Sequence, residues 1–311
     1  MSVIGIDLGG TKVSGMIFDS KGNCLRQAAR LLEGRKGSEA GQLVIEIICE
    51  LMQPAVEAIG ICVPGINNAK TGRVWAPNIP GWESYPLQQE VEDWLGNPAI
   101  EVKIAGDRSC HILGEIWKWN SQGVRDAVFI AVGTGIGMGI LANGQVLEGY
   151  TGISGAAGWL ALDTKYEADY AQYGCFESQA SGNGIARQAQ RLLMESTLFH
   201  DSILRIYRIE SITAYQVFDA WEKNDPLAVQ VIDRAVQLWG MAAANVVSLL
   251  NPEMIVWGGG VFGPATRLLH RIYEEASRWA QPIAIRQVRF VPSQLGGDAG
   301  LYGAGRLVLN L

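Results

Sequence analysis

No apolar run in the 311 residues approaches the roughly 18 that a bilayer span requires, although 48% of the chain is hydrophobic and its mean hydropathy is +0.11. A soluble protein without a membrane partner is expected. Cysteine is scarce: Cys24, Cys49, Cys62, Cys110 and Cys175 are odd in number, far apart and form no CxxC pair. That suggests neither a disulfide framework nor a thiol-rich metal site, and it fits reduced thiols in a cytosol. No basic block or helix-turn-helix pattern precedes the first strand, and with a net charge of −6 and a pI near 5.2 the chain has no electrostatic footing for nucleic acid. Small molecules are the expected partners. The opening residues carry no basic leader with an apolar stretch, so a cytoplasmic location is expected. No low-complexity linker is visible, and the length suits two medium lobes meeting in a packed hinge.

Glycine is abundant instead. The 38 glycines gather at 9–10, 133–139, 149–158, 258–263 and 296–305, places where turns or close backbone approach are expected. The first cluster lies in Asp7-LGGTK-Lys12. Residues 2–7 and 13–18 alternate on either side of it and Ser20-KGN-Asn23 turns into a third strand, so the opening element reads as a meander. A Walker loop needs GxxxxGK[ST] opening a helix, and this turn opens a strand.

Val128-FIAVGTGIGMGILANGQVL-Leu147 echoes the same unit: strand, glycine turn with a threonine, strand, and an Asn143-Gly144 hairpin. Two copies of one supersecondary unit suggest a duplicated, two-lobed α/β protein. Gly133-TGIGMG-Gly139 also mimics a dinucleotide fingerprint, but a strand follows where that motif needs a helix, which disfavours a nicotinamide-dependent dehydrogenase. Between the copies the pattern predicts helices over 38–52 and 86–95 and strands over 58–65 and 100–105. Beyond them it predicts helices over 177–195, 211–222, 225–250 and 264–279, strands over 254–260 and 288–293, and a terminal glycine-rich helix.

Asp7 ends a buried strand beside amides freed by Gly9 and Gly10, the Thr11 hydroxyl and the Lys12 ammonium. Amides plus one cation suit a polyphosphate, and the carboxylate suits a hydrated Mg²⁺; an ordinary hairpin with a chance lysine is the bland alternative. Thr134 and Gly135 in the second turn, and Gly259 and Gly260 at the end of another strand, repeat the amide-rich arrangement. Three such turns in a duplicated pattern can surround a nucleoside triphosphate.

Taken with Gly60-ICVPG, Ala76-PNIPGW, Gly106-DRS, Gly174-CFE, Asn251-PEMIVWGGGV and Asp298-AGLYGA, these motifs make the chain resemble the ROK family of sugar kinases, within the actin/hexokinase superfamily. The resemblance spans nearly the whole chain. It implies two duplicated lobes of the actin-like, hexokinase-type (ribonuclease H-like) fold with an interlobe cleft, a small lobe from 1–105 joined by a terminal helix 300–311, a large lobe from 106–299, and a homodimer. Asp107 matches the family's general base, although it also precedes a helix and suits its N-terminus. Asn78 and Glu177 match residues that meet the sugar, with Pro64, Gly65, Gly106 and Gly155 beside them; a turn asparagine and a helix-opening acid explain the same residues without a ligand.

The chain also departs from the family pattern. Gly106-Asp107 stands where Asn-Asp is usual, and Gly155-AAGW-Trp159 where Gly-Glu-Ile-Gly-His is usual, so three polar sugar contacts are missing. At about 0.5–1.5 kcal/mol per neutral hydrogen bond and about 1.5–3 to a charged group, that loss exceeds about 10³-fold in affinity for a usual hexose. Trp159 reads as a core aromatic, with a platform for the acceptor as the alternative. The family's zinc loop keeps only Cys175, so no zinc is expected and Tyr166, Tyr170 and Tyr173 are expected to hold the loop by packing. His111, His200 and His270 read as ordinary helical residues. The function these features imply is an ATP- and Mg²⁺-dependent kinase acting on a sugar or sugar-like hydroxyl, with polyphosphate open as donor. A catalytically inactive nucleotide- or sugar-binding sensor of the same fold is the alternative.

Overall fold

The computed structural model describes residues 2–68, 70–119 and 123–309. The chain opens with β1 (Ser2–Leu8), β2 (Lys12–Asp19) and β3 (Cys24–Leu31), an antiparallel meander as expected. After α1 (Ser38–Leu51), β4 (Val56–Val63) lies parallel to β1. A short hairpin, β5 (Ile66–Asn68) and β6 (Arg73–Trp75), and α2 (Leu87–Leu95) lead to β7 (Glu101–Gly106), parallel to β4, and to α3 (Asp107–Trp119). The sheet order is β3-β2-β1-β4-β7.

A second sheet holds β8 (Ala127–Val132), β9 (Ile136–Ala142) and β10 (Gln145–Val146). Helices α4 (Tyr170–Tyr173), α5 (Cys175–Ala180), α6 (Gly182–Glu195), α7 (Ala214–Glu222) and α8 (Pro226–Leu250) precede β11 (Met254–Gly258). Then come α9 (Leu269–Ser277), α10 (Ala284–Gln287), β12 (Arg289–Pro292) and α11 (Ala299–Val308). The order is β10-β9-β8-β11-β12, with β8, β11 and β12 parallel. No helix among the described residues is long and apolar enough to cross a membrane.

Local chemistry accounts for the boundaries. Helix α8 starts where the Asp225 carboxylate accepts from Ala228 N (3.0 Å) with Pro226 in the first turn, and it stops at Asn251, left-handed at φ 46°, before Pro252. The expected helix over 177–195 is two helices, because Ser181 turns extended and its hydroxyl caps the second by accepting from Gly184 N at 2.9 Å. The expected helix over 264–279 opens instead as a 3-10 segment, Pro264–Leu268, and that over 211–222 begins later, at Ala214, where Thr213 and Gln216 form a capping box. The terminal helix runs 299–308; residues 310–311, also assigned to it from sequence, lie outside the described residues.

The chain packs as two compact units: Met1–Val124 with Gly139–Ser154 and Gln294–Leu311, and Arg125–Met138 with Gly155–Ser293. The break expected between 105 and 106 therefore falls elsewhere, and α3 belongs with the first unit. The reason is backbone packing between α3 and α11: a Cβ on Gly114 would lie 2.3 Å from Ala299 O, and one on Gly303 would lie 1.8 Å from Cys110 O. In the same unit α11 lies flat on the sheet, since a Cβ on Gly60 of β4 would meet Ala304 O at 1.9 Å. On the other sheet face α1 buries Leu43, Val44, Ile47, Ile48 and Leu51, packing chiefly on β2 and β3, with Ile47 and Leu51 over Gly15. Strands buried on both faces read as near-continuous apolar runs, as β4 does.

Candidate active site

In the first unit the candidate residues Asp7, Gly65, Gly106 and Asp107 gather at the carboxyl ends of the parallel strands β1, β4 and β7, where open α/β sheets place their ligands. Asp7 is the penultimate residue of β1 and is partly buried. The turn after it closes through Gly9 N donating to Lys12 O at 2.9 Å, which leaves Gly10, Thr11 and Lys12 exposed. Thr11 O accepts from Leu32 N at 2.8 Å, tying the turn to the end of β3. A Cβ on Gly10 would come within 4.0 Å of Asn78 Cβ, so the turn and Asn78 are neighbours. Asn78 stays exposed because its loop is pinned from behind: Trp82 is fully buried, stacks on Tyr85 at 4.2 Å between ring centroids, and donates from Nε1 to Gly37 O at 2.9 Å.

Gly106 ends β7 and Asp107 opens α3, with Asp107 Oδ1 accepting from Arg108 N at 2.7 Å. A Cβ on Gly106 would lie only 2.5 Å from Gly65 O. Glycine at 106 thus gives β7 room beside the Pro64–Gly65 turn. Burial pushes the Asp7 carboxyl above the ordinary aspartate range and the Asp107 charge adds to this, while a hydrogen bond from Cys62, the His111 imidazole and Lys12 oppose it. Asp7 and Asp107 therefore feel each other's charge. Sequence reasoning missed Cys62 and His111 in this group. His111 follows Asp107 by one helical turn, a spacing legible in the sequence; Cys62 reaches Asp7 only through strand register.

In the second unit, Gly133-Thr134-Gly135 follows β8 and Gly259-Gly260 follows β11, again at strand carboxyl ends. Gly133 N donates to Gly135 O at 2.9 Å, and Gly182 N, at the start of α6, donates to Gly133 O at 2.7 Å. Gly259 sits at φ +87°, with space for a Cβ blocked by Val132 O at 2.4 Å, so only glycine joins these turns. Gly133, Thr134 and Gly260 line one cavity of about 680 Å³ together with Tyr215, Phe218 and Arg187. Its lining is mainly apolar. The Arg187 guanidinium stacks over Tyr173 at 4.4 Å, and its Nη2 is buried without a hydrogen-bond partner.

Glu177 lies beneath the Gly133–Gly135 turn: its Oε2 accepts from Ile136 N at 2.7 Å. Cβ atoms on Gly135 and Gly158 would crowd its carboxylate at 2.6 and 2.9 Å. A carboxylate bond to backbone is worth about 1.5–3 kcal/mol. Glu177→Ala is therefore expected to weaken nucleotide binding by about tenfold or more, measured by calorimetric titration; an effect confined to acceptor KM would deny Glu177 this hold on the turn. Gly155, at φ +79°, accepts from Met138 N at 2.8 Å through its carbonyl.

Trp159 corrects the expectation of a core aromatic. It ends a 3-10 turn, Ala157–Trp159, and is 57% exposed, because Ala157 and Gly158 fill the buried side of that turn. Nearby, Tyr170 is buried, receives a hydrogen bond from Gln179 Nε2 at 2.9 Å and packs edge-on against Tyr166, with Cys175 buried beside it. Aromatic packing thus holds the segment around Cys175. Among the described residues no group of three or more His, Cys, Asp or Glu is placed to hold a metal ion.

With this fold and these strand-end turns in place, comparison supplies the class. The family model described as "ROK family" matches residues 3–310, and the chain belongs to the ROK family. A glucokinase of Halalkalibacterium halodurans is 31% identical over 319 residues, covering 98% of this chain and 94% of that protein. An N-acetyl-D-glucosamine kinase of Escherichia fergusonii is 26% identical, covering 98% and 99%. The crystal structure of a ROK family glucokinase from Streptomyces griseus, in complex with glucose and AMPPNP, aligns with a TM-score of 0.75 at 27% identity, covering 99% of each chain.

Proposed function

We propose that this protein is an ATP-dependent kinase that transfers the γ-phosphoryl group to a hydroxyl of a sugar or sugar-like small molecule. The observation that carries the reading is the pairing of Asp107, at the start of α3, with the amide-rich Asp7–Lys12 turn at the strand ends of a ROK chain. Asp107 takes the proton from the attacked hydroxyl, which sharpens the nucleophile as the phosphoryl group leaves the donor. In the first unit the amides after Asp7, with Lys12, suit phosphate oxygens, and in the second unit the amides after β8, with Thr134, suit them equally. The cavity beside Gly133 and Gly260 has the size and apolar lining of a nucleoside site, which supports a nucleotide over bare polyphosphate as donor.

Magnesium fits the carboxylates present. Asp7 and Asp107 repel one another across a partly buried site, and a divalent cation relieves such repulsion. Asp7 would hold it through water, since Mg²⁺ keeps several waters and takes its remaining ligands from phosphates. Bound there, the ion neutralises phosphate charge. Gly106, Ala156 and Trp159 supply no side-chain polar grip of the kind the family uses on a hexose, so the acceptor is held chiefly through Asn78 and Asp107. We place the protein in a reducing cytoplasm, as a homodimer, on the strength of its free cysteines and its family.

The test is ADP release from Mg·ATP across hexoses, amino sugars, ketoses and polyols. Acceptor-dependent turnover with at least one class is expected. Nucleotide binding at micromolar affinity with no turnover on any acceptor would replace the kinase by a non-catalytic binding protein.

A further inference from the structure

Within the first unit a small polar cavity adjoins the start of α3. It holds about 10 Å³ and is lined by Gly65, Asn67, Gly106, Arg108, Ser109 and Ser154, among others. That is room for about one water-sized group. Gly106 and Arg108 flank Asp107 in the chain, so the cavity lies beside the residue that takes the acceptor's proton. Gly106 puts no side chain into the space, and a Cβ there would meet Gly65 O at 2.5 Å.

Asn67, in the middle of β5, is firmly held. Its backbone pairs with Val74 of β6, and its Nδ2 donates to Ile104 O of β7 at 2.7 Å, so the other end of the amide is the acceptor oxygen. The loop 148–154 packs over it: a Cβ on Gly152 would lie 3.0 Å from Asn67 O, and Arg108 Nη1 donates to Ile153 O at 3.3 Å. Asn67 Oδ1 is buried, yet it finds no hydrogen-bond partner among the described residues. Buried amide oxygens are seldom left unpaired. The oxygen calls for a donor, and the volume admits a hydroxyl or a water but no acetamido or methoxy group.

We infer that Asn67 determines acceptor specificity: its Oδ1 accepts from a hydroxyl of the sugar other than the one Asp107 deprotonates, and the cavity restricts that position to an unsubstituted hydroxyl. The inference rests on the kinase reading above. Water fits the same space, and a sugar hydroxyl can displace it while reproducing its hydrogen bond. An acceptor lacking that hydroxyl leaves the buried oxygen unpaired, which is how a site built around a hydrogen bond rejects an analogue.

The experiment takes the sugar with the highest wild-type kcat/KM in the ADP-release panel, with its monodeoxy and mono-O-methyl analogues, and compares wild type, Asn67→Ala and Asn67→Val. At one ring position wild type is expected to lose about three- to tenfold in kcat/KM when the hydroxyl is removed, the range of one neutral hydrogen bond. It should turn over the O-methyl analogue at that position no better than the deoxy one. In the variants the preference for the hydroxyl is expected to shrink to within about twofold, with KM for ATP within about twofold of wild type. Loss of the bond to Ile104 O acts on parent and deoxy sugar alike, so their ratio isolates Oδ1. Asn67→Val keeps a strand-forming side chain in β5 should Asn67→Ala fail to fold, and melting temperatures show which variants are folded. Three outcomes overturn the inference: deoxy preferences that persist at every position in the variants, which would leave Asn67 as support for a bound water; an O-methyl analogue at that position accepted as well as the parent; or a KM for ATP that rises as far as that for the sugar. If wild type turns over no acceptor at all, the kinase reading fails first and this inference falls with it.

Discussion

Asp107→Asn is expected to lower kcat by about 10²–10⁴-fold, the range a positioned general base contributes, while nucleotide affinity changes by no more than a few-fold. The substitution is nearly isosteric. Its amide oxygen can still accept from Arg108 N, the bond Asp107 Oδ1 makes at 2.7 Å, so the start of α3 is kept. What is lost is the lone pair that takes the hydroxyl proton. A small fall in melting temperature accompanies the change, because a carboxylate at a helix N-terminus is worth about 0.3–1 kcal/mol. Removing its charge also relieves the repulsion on Asp7. Steady-state kinetics with a saturating acceptor decide the matter: a kcat within threefold of wild type would remove Asp107 from the chemistry.

Gly303→Val is expected to be the most damaging substitution for stability. Its Cβ alone would sit 1.8 Å from Cys110 O and 2.4 Å from Cys110 C, both backbone atoms of α3 that no rotamer change can move. Overpacking a well-filled core costs about 1–3 kcal/mol when side chains can yield, so a clash against backbone should cost at least about 3 kcal/mol. Gly60→Ala, with 1.9 Å to Ala304 O, should behave similarly. Gly297→Ala serves as the contrast, because nothing lies within 4 Å of a Cβ there and the change should stay within about 0.5 kcal/mol. Urea unfolding of the three variants measures this ranking, and a Gly303→Val protein as stable as Gly297→Ala would mean that α3 and α11 do not cross at that glycine. Activity should fall with stability, since α11 also abuts Asp7 through Gly300.

The meander, both glycine turns and the helix at 38–51 were legible because alternation and apolar spacing report burial directly. Asp7, Asp107 and Asn78 stood out as candidates because motifs carry residue types in order. Register was not: that Asp7 faces Cys62 depends on which residue of β4 slides beside β1, and a slip of one would turn Cys62 to the other face. Nor was the Gly65–Gly106 approach, which makes glycine at 106 a steric requirement as well as a missing sugar contact. Trp159 was misjudged because aromatic character predicts burial only on average, and its place at the end of a 3-10 turn decides otherwise. The break at Ser181 had a signal in Ser181-GNG-Gly184, a cap followed by glycines, that apolar periodicity overrode.

The order in which the chain leaves the ribosome gives the α11 packing a further meaning. Strands β1, β4 and β7 emerge early, whereas the helix that lies on Gly60 and Gly114 occupies 299–308, after every residue of the second unit. During synthesis that flat, glycine-paved face has no helix to cover it, and it can pair with other nascent chains until α11 has been made. Chaperone demand should therefore concentrate on the first unit although its strands are made first, and truncations just short of 299 should aggregate rather than fold into a working half.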